Sequence, residues 1–381
     1  MRLPCFIPKD PEPNMPRPCK LEIRRMATHT HPDLAPTRPI RVVRDNSLDI
    51  AKGFGILLVV LGHCLDGLIA SGFFPAALLW PTLVVFAIYL FHMPLFFVIS
   101  GHLASGKHRP AGTTISRMLP SIVYPYFLWS IVEGLLLVYL SKYTNSKVQI
   151  SSLYHILWNP IVPYWFLYAL FFCHLGYLAI RKLSYPVQMA ISAAVFLAPL
   201  LFVQQSSHWG LIIIPETVRG FLFFILGVVS VTQVKRLGLR SAIVATVLYG
   251  LFAFAFWKMH PAGDIGSVIV LPAAIAGIVA ALAWSRLLAA RGGRLADTLA
   301  LWGRYSMSIY VLHIFFTAGV RIALKHLAPA PGARPAIAAT ILEIVAATAL
   351  GVLLPLAINW MVSRANLDKW FGLQHMEPAA K

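Results

Sequence analysis

The stretch LDIAKGFGILLVVLGHCLDGL, residues 48–68, decides the class of fold. It is an apolar run of the length that a helix needs to cross the hydrocarbon core of a bilayer, about 20 residues. The rest of the chain has the same character, since 58% of its 381 residues are hydrophobic, 12% are charged and the mean hydropathy is +0.73. Soluble globular proteins carry roughly 25% charged residues. The composition therefore predicts an all-α, polytopic membrane protein whose main partner is the lipid bilayer.

Further apolar runs follow the first, so we expect a bundle of about ten transmembrane helices. If the N-terminus is cytoplasmic, the loops on its side hold eleven Lys and Arg residues and the loops on the far side hold six. The positive-inside rule then places both termini in the cytoplasm. The net charge of +18 is thereby explained by topology and does not indicate a nucleic-acid partner. The predicted spans are 48–68, 79–101, 118–140, 162–180, 187–204, 212–232, 241–257, 265–286, 299–320 and 337–360.

Three regions are expected along the chain. Residues 1–46 are basic and Pro-rich and predict a disordered extension, or an artefact of a start site that truly lies at Met26. Residues 47–362 form the membrane domain, and residues 363–381 form a short cytoplasmic tail. The four cysteines have neither the spacing of a metal site nor that of a disulfide framework, so no metal is expected. No signal for an oligomeric state is visible.

A polar stripe runs along the first predicted span. Lys52 and His63 are eleven residues apart, about three helical turns, so both face one side with an axial separation of about 16 Å. Asp49 precedes Lys52 by one turn, and the two can form a boundary ion pair with Lys52 as a snorkelling anchor. His63 lies deep, between Gly62 and Cys64, where an imidazole needs a hydrogen-bond partner and can exchange a proton near neutral pH. His63 is therefore a candidate acid–base residue.

Two residues near this stripe have open roles. Asp66, one turn after His63, can orient its ring or be simply solvated. His92 lies in the second span beside Pro94, which removes a backbone hydrogen bond and predicts a kink. We expect His92 to lie deeper toward the cytoplasm than His63, near the level of Lys52. A catalytic His92 with a structural His63 is the alternative assignment.

Other ionisable residues inside the spans are functional candidates, because charge is costly in a bilayer. His313 lies one turn after Tyr310 in the ninth span, where a structural hydrogen bond and a role with substrate both fit. Glu133 lies in the third span. Glu216 and Arg219 are three residues apart and are interpreted as a self-neutralising ion pair.

The basic loop after the second span admits two interpretations. Lys107, Arg109 and Arg117 satisfy the positive-inside rule, which explains most basic loops beside transmembrane helices. The same residues can receive the phosphates of a cytoplasmic, nucleotide-bearing donor. Both interpretations stay open from the residues alone.

These motifs together resemble the acyltransferase 3 family of integral-membrane enzymes, and within it the sugar O-acetyltransferases related to fucose 4-O-acetylase. The resemblance spans residues 46–362. In this family a basic residue is followed, after ten residues, by histidine, here Lys52 and His63. Many relatives have Arg at the first position, so Lys52 is a departure that lacks the bidentate fork. The matching stretches are LDIAKGFGILLVVLGH (48–63), FHMPLFFVISG (91–101), YPYFLW (124–129) after the loop leading to Arg117, PYWFLYALF (163–171) and WGRYSMSIYVLH (302–313).

The resemblance implies a multi-pass protein of the bacterial inner membrane that moves an acetyl group. The donor substrate is cytoplasmic acetyl-CoA, with no bound cofactor, and the acceptor is a hydroxyl of a surface or lipid-linked carbohydrate. Neutral His63 fits as the general base that removes the hydroxyl proton, and Lys52 and the basic loop fit the phosphates of CoA or the oxyanion. The catalytic candidates are His63 and Lys52, and the candidates for binding substrate or donor are Asp49, His92, Arg117, Trp165, Tyr310 and His313.

Two alternatives are kept. The first retains the enzyme class and changes the reaction to succinyl or other acyl transfer to a periplasmic glucan. The second is a polytopic transporter or flippase, in which the intramembrane charges line a solute path. A purely structural scaffold would explain the spans but not a Lys–His stripe on one helix face.

Overall fold

The described part of the chain consists of helices joined by turns and contains no strand. The computed structural model describes residues 46–74, 78–106, 109–139, 150–206, 213–259, 266, 268–327 and 337–376. The predicted N-terminal extension, including Met26, lies outside these residues except for its last residue, Asn46. Lys107 of the basic loop also lies outside them. The α-helices are α1 (Ser47–Ala70), α2 (Trp80–Tyr89), α3 (His92–Ser105), α4 (Ala111–Met118), α5 (Tyr124–Tyr139), α6 (Trp165–Ile180), α7 (Tyr185–Ser206), α8 (Ile213–Val229), α9 (Val231–Val234), α10 (Leu239–Met259), α11 (Leu271–Arg291), α12 (Arg294–Arg304), α13 (Ser306–Leu327), α14 (Ile337–Arg364) and α15 (Asp368–Phe371).

The prediction of a polytopic all-α bundle is confirmed. Among the described residues, seven segments are long and apolar enough to cross a membrane. The other three predicted spans coincide with α6, α7 and α8, which are shorter or have fewer described side chains. The side of the membrane on which the termini lie stays a prediction. The seven segments are Ser47–Ala70, Trp80–Ser105, Ala111–Tyr139, Leu239–Met259, Leu271–Arg291, Ser306–Ala323 and Thr340–Arg364.

The second span is divided where the sequence predicts a kink. Helix α2 ends at Tyr89 and α3 begins at His92, with Phe91 at φ −139° between them. Pro94 has no N–H to donate to the carbonyl of Leu90, four residues earlier, so the helical hydrogen bonding pauses at this point. The break lies at the depth where the site is built.

The ninth span differs from its predicted bounds, 299–320. The chain forms a separate helix, α12, that ends at Arg304, and the apolar helix α13 begins only at Ser306. Charged residues occupy one face of α12, at Arg294, Asp297 and Arg304, so this helix is amphipathic. Helix α13 continues to Leu327, so Arg321, which lies beyond the predicted span and was expected in a loop, is part of the helix.

Helix α1 occupies the centre of the bundle. A Cβ atom added to Gly53 would lie 1.9 Å from the backbone oxygen of Leu299, and one added to Gly303 would lie 1.7 Å from that of Asp49. These glycines let the backbones of α1 and α12 touch, as small residues do between membrane helices. The central position buries Asp49 and half-buries Lys52 and His63, whereas Asp66 is exposed. Its neighbours are α2, α3, α11, α12, α13 and α14.

The C-terminal segment folds back onto the bundle instead of leaving it. Trp129 Nε1 donates to the carbonyl of Phe371 at 3.0 Å, and the Tyr124 hydroxyl donates to that of Trp370 at 2.5 Å. Leu373 is buried, and the backbone N–H of Gln374 donates to Ser308 Oγ at 3.2 Å. Residues 368–376 of the predicted tail therefore cover one end of α5 and α13.

Candidate active site

A pair of histidines from α1 and α13 forms the core of the site. His313 Nε2 lies 3.5 Å from His63 Nδ1, and the two ring centroids are 5.1 Å apart. His313 is completely buried, whereas His63 is half-buried. The nitrogen–nitrogen distance is long for a hydrogen bond, as contacts in resting active sites often are.

The backbone fixes which nitrogens of this pair carry protons. His313 Nδ1 lies 2.7 Å from the carbonyl oxygen of Tyr310, which only accepts, so Nδ1 of His313 is the donor. Its Nε2 is then an acceptor and faces Nδ1 of His63. The arrangement favours the tautomer of His63 with hydrogen on Nδ1 and a lone pair on Nε2. An imidazole held in this way is ready to accept a proton at Nε2.

A third histidine lies close to the pair. His92 is buried, and its Nδ1 donates to the carbonyl of Ile88 at 2.9 Å. The ring of Tyr89 lies between the two sites, with its centroid 5.0 Å from that of His92 and 6.4 Å from that of His63. Three imidazoles thus meet in one region of the bundle.

The depth predicted for His92 is wrong. A Cβ on Gly62 would contact the Tyr89 ring, and a Cβ on Gly55 would contact the ring of Phe96. The α2–α3 break therefore packs against the part of α1 that lies just before His63 on the side of Lys52. His92 is therefore nearer in depth to His63 than to Lys52.

A cavity of about 1100 Å³ opens beside these histidines. His63, His92, Trp165 and Tyr310 all line it, so four of the predicted site residues meet at one cavity. His313 supports His63 from behind. The cavity is also lined by charged and polar residues, which are Asp66, Glu133, His155, Asn159, Glu216, Arg219 and Arg321.

The cavity lies toward one end of the bundle. Helix α1 contributes its later part, residues 59–70, while α3 and α8 contribute their first parts, residues 92–97 and 216–223. The part of α1 precedes the connection to α2, the part of α8 follows the connection from α7, and the part of α3 begins at the break in the second span. We call this the cavity end. It is opposite the end at which α1 begins.

Lys52, Asp49 and Arg117 do not line this cavity. The ammonium of Lys52 lies 2.6 Å from Asp49 Oδ1, which is the ion pair that the sequence allows. Lys52 is about three turns from His63, on the side of α1 away from the cavity end. Arg117 is exposed at the end of α4. The prediction that Lys52 acts with His63 at the reacting atoms is therefore not supported by the geometry, because the two groups are too far apart to touch one small group.

The comparisons with known proteins agree with this architecture. The profile of the acyltransferase 3 family, described as "Acyltransferase domain", matches residues 45–360, which is most of the chain. The chain belongs to the acyltransferase 3 family. The family that the sequence motifs predicted is thereby confirmed.

Two relatives of this acyltransferase 3 protein are nodulation proteins. Nodulation protein NolL of Mesorhizobium japonicum is 31% identical over 170 residues, which cover 41% of this chain and 42% of that protein. Nodulation protein NolL of Sinorhizobium fredii is 49% identical over 63 residues, 16% of each chain. The chain thus covers less than half the length of either relative. No solved structure matches it.

Sequence reasoning missed Arg321 and did not place the Glu216–Arg219 pair at this candidate site. Arg321 was assigned to a loop, yet its guanidinium lies over Gly67, where an added Cβ would come within 2.4 Å of Nη1. Glu216 and Arg219 form the expected pair, 3.3 Å apart, and both line the cavity. Arg321 follows Tyr310 by eleven residues, which is the spacing that places Lys52 and His63 on one face. That periodicity was the available signal.

Two tyrosine hydroxyls hold the segment of α13 that carries His313. The Tyr164 hydroxyl donates to the carbonyl of Val311 at 2.9 Å, and the Tyr310 hydroxyl donates to the carbonyl of Pro163. The two bonds run in opposite directions between the same two segments. They fix the turn of α13 from which His313 reaches His63.

Within the described residues, no group of His, Cys, Asp and Glu has the geometry of a metal site. The side chains that line the cavity carry imidazole, carboxyl, guanidinium, amide and aromatic groups. Such a set suits proton transfer and the binding of a polar ligand.

Proposed function

We propose that this protein is a membrane O-acetyltransferase that moves the acetyl group of acetyl-CoA to a hydroxyl of a surface or lipid-linked carbohydrate. The observation that carries the proposal is the His63–His313 pair at the wall of a large polar cavity. Membership of the acyltransferase 3 family supports the reaction class. The acetyl donor, the carbohydrate acceptor and the role of His63 are the parts that go beyond that membership.

The tautomer of His63 supports general-base chemistry. A sugar hydroxyl is a weak nucleophile, and Nε2 of His63 accepts its proton while the oxygen attacks the thioester carbonyl. His63 then carries protons on both nitrogens, and the Nδ1 proton remains directed at His313 Nε2. When the tetrahedral intermediate collapses, the C–S bond breaks and His63 returns the proton to the thiolate. The products are the acetylated sugar and free CoA, so atoms and charge balance.

The position of the cavity suggests separate approaches for the two substrates. The positive-inside rule assigns the end of α1 that carries Lys52 to the cytoplasm, so the cavity end faces outward. Acetyl-CoA then approaches from the end of Lys52 and Arg117, whose charges suit its phosphates. The acceptor enters the cavity, and His63 lies where the two meet. Lys52 becomes a donor-binding residue in this scheme.

We place the protein in the bacterial inner membrane. The seven long apolar helices and the two bacterial relatives support this location. From this membrane, the outward-facing cavity end would reach surface or lipid-linked glycans as acceptors.

Two alternatives differ in what they predict. Transfer of a succinyl or other acyl group to a periplasmic glucan keeps the same base and changes the donor, so competition between acyl-CoAs separates it. A transporter or flippase would move a solute without consuming acyl-CoA, and it requires no proton acceptor fixed by a second histidine.

The proposal is tested by deleting the gene and measuring ester-linked acetate on the cell-surface glycan. Complementation with wild type restores the acetate, and His63→Ala, present at the same level in membranes, does not. His174→Ala is the matched control, because His174 also lies in a membrane helix but does not line the cavity. Full restoration by His63→Ala would show that His63 is not the base.

A further inference from the structure

Glu133 is the buried carboxyl group of the cavity that the proposed mechanism leaves unused. It lies on α5, is 5% exposed and lines the cavity. A carboxyl group in the apolar part of a membrane protein needs hydrogen-bond partners, because leaving it unpaired is costly. The arrangement of its neighbours therefore indicates what it binds.

Two tyrosine hydroxyls near Glu133 already donate to backbone carbonyls. Tyr164 lies within hydrogen-bonding reach of the Glu133 carboxyl group, and Tyr310 lies in the same region. The proton of Tyr164 is committed to the carbonyl of Val311 at 2.9 Å, and that of Tyr310 to the carbonyl of Pro163. The Tyr164 oxygen can only accept from Glu133, which suits a neutral carboxylic acid that donates to it.

The other oxygen of Glu133 is an unused acceptor. Among the described residues, Glu133 Oε2 is buried and has no hydrogen-bond partner. Buried polar atoms are nearly always paired, so an unpaired oxygen at the wall of a cavity calls for a functional explanation. A group at the wall of the cavity that can donate one hydrogen bond to Oε2 would complete the network from Glu133 through Tyr164 to α13.

The neighbouring wall suits a sugar. Trp165 and Asn159 line the cavity together with Glu133. An indole face packs against the C–H face of a sugar ring, while carboxyl and amide groups bind its hydroxyls. The nearby charged residues Glu216 and Arg219 are already paired with each other at 3.3 Å. The features favour a neutral, polyhydroxylated ring.

We propose that Glu133 is a specificity-determining residue that accepts a hydrogen bond from a hydroxyl of the acceptor sugar, other than the hydroxyl that is acetylated. This inference rests on the proposed function. Glu133 binds the acceptor as a neutral acid, with one oxygen donating to Tyr164 and Oε2 accepting from the sugar. It takes no part in proton transfer to or from the acetylated oxygen.

The neutral state makes a specific prediction about substitutions. In Glu133→Gln the amide NH₂ donates to Tyr164 and the amide oxygen accepts from the sugar, so the variant keeps most of the activity. In Glu133→Leu the side chain has a similar size, but it can neither donate to Tyr164 nor accept from the sugar. It loses about tenfold in kcat/KM for the acceptor, the value of one hydrogen bond to a buried group, with KM for acetyl-CoA unchanged.

The experiment measures transfer from radiolabelled acetyl-CoA to methyl fucoside, and to its monodeoxy analogues, in membrane vesicles. Among the analogues that keep the acetylated hydroxyl, one is expected to have a kcat/KM about tenfold below that of methyl fucoside with the wild-type enzyme. With Glu133→Leu, the same analogue and methyl fucoside are expected to have equal kcat/KM, because the variant has already lost the hydrogen bond to that hydroxyl. Ser130→Ala is the matched control, since Ser130 is buried one turn earlier on α5 and does not line the cavity.

Three outcomes would overturn the inference. They are unchanged acceptor kinetics in Glu133→Leu, a loss confined to KM for acetyl-CoA, and equal losses in the Gln and Leu variants. If the Leu variant does not accumulate, Glu133→Ala and Glu133→Asp, which withdraws the carboxyl group by one methylene, carry the same expectation. A wild type that acetylates none of a panel of methyl fucoside, glucoside and N-acetylglucosaminide overturns the proposed function itself, whereas an active wild type with a normal Leu variant overturns only the role of Glu133.

Discussion

Replacing His313 by leucine removes the acceptor for the Nδ1 proton of His63 while keeping a side chain of similar size. In the resting site this hydrogen bond joins two neutral rings at 3.5 Å, and a neutral hydrogen bond contributes about 0.5–1.5 kcal/mol. Once His63 has taken the proton of the sugar hydroxyl, the donor is charged, and such a bond contributes about 1.5–3 kcal/mol. The transition state therefore loses more than the ground state does.

The difference, about 1–1.5 kcal/mol, corresponds to about tenfold in kcat. Freed from His313, His63 also populates the other tautomer and other rotamers, which raises the expected loss to between about tenfold and a hundredfold. Because His313 does not line the cavity, KM for acetyl-CoA and KM for the acceptor are expected to stay unchanged. A loss confined to kcat distinguishes a positioning role from general damage to the fold.

The assay is the initial rate of acetyl transfer in vesicles, normalised to the amount of protein in the membrane. His313→Gln serves as the matched variant, because its side-chain oxygen can accept the Nδ1 proton of His63, and it is expected to recover most of the lost rate. A Leu variant that accumulates normally and keeps the wild-type kcat would refute the reasoning. So would equal losses in the Gln and Leu variants, since the hydrogen bond would then not be the cause.

Two further predictions concern the other parts of α1. Lys52→Ala is expected to raise KM for acetyl-CoA by about tenfold, the value of one charge-assisted contact to phosphate, while KM for the acceptor stays unchanged; a change in the acceptor KM alone would contradict donor binding at Lys52. Gly303→Ala forces a Cβ to within 1.7 Å of the Asp49 backbone oxygen, so α1 and α12 must separate at a cost of about 1–3 kcal/mol. The variant is expected to show a lower melting temperature in detergent, whereas Gly250→Ala, which has open space around it, melts like wild type, and equal melting of both variants would show that the close contact is unimportant.

Hydropathy and helical periodicity predicted the elements of the fold better than their relative positions. The apolar runs gave the spans, and the Asp49–Lys52 and Glu216–Arg219 pairs followed from a spacing of three residues. Such rules act within one helix. The contact of His63 with His313 joins residues 250 positions apart, and no spacing in the sequence specifies it.

The errors have a common physical origin in the register between helices. The sequence placed His92 too near the level of Lys52, because it does not specify the packing of Gly62 against Tyr89 that sets the actual register. Arg321 was missed because the break at Tyr305 shifts α13 toward the cavity end. Lys52 faces the same side of α1 as His63. Helical periodicity predicts this shared face, but it does not predict whether the two side chains contact the same group.

The most direct test of the account uses the purified protein in liposomes, with the sugar trapped inside and radiolabelled acetyl-CoA added outside. Only molecules whose Lys52 end faces outward then see the donor. The account predicts ester-linked acetate on the trapped sugar with wild type and with His174→Ala, and none with His63→Ala. Full acetylation by His63→Ala, or movement of the sugar across the membrane without acetylation, would contradict it.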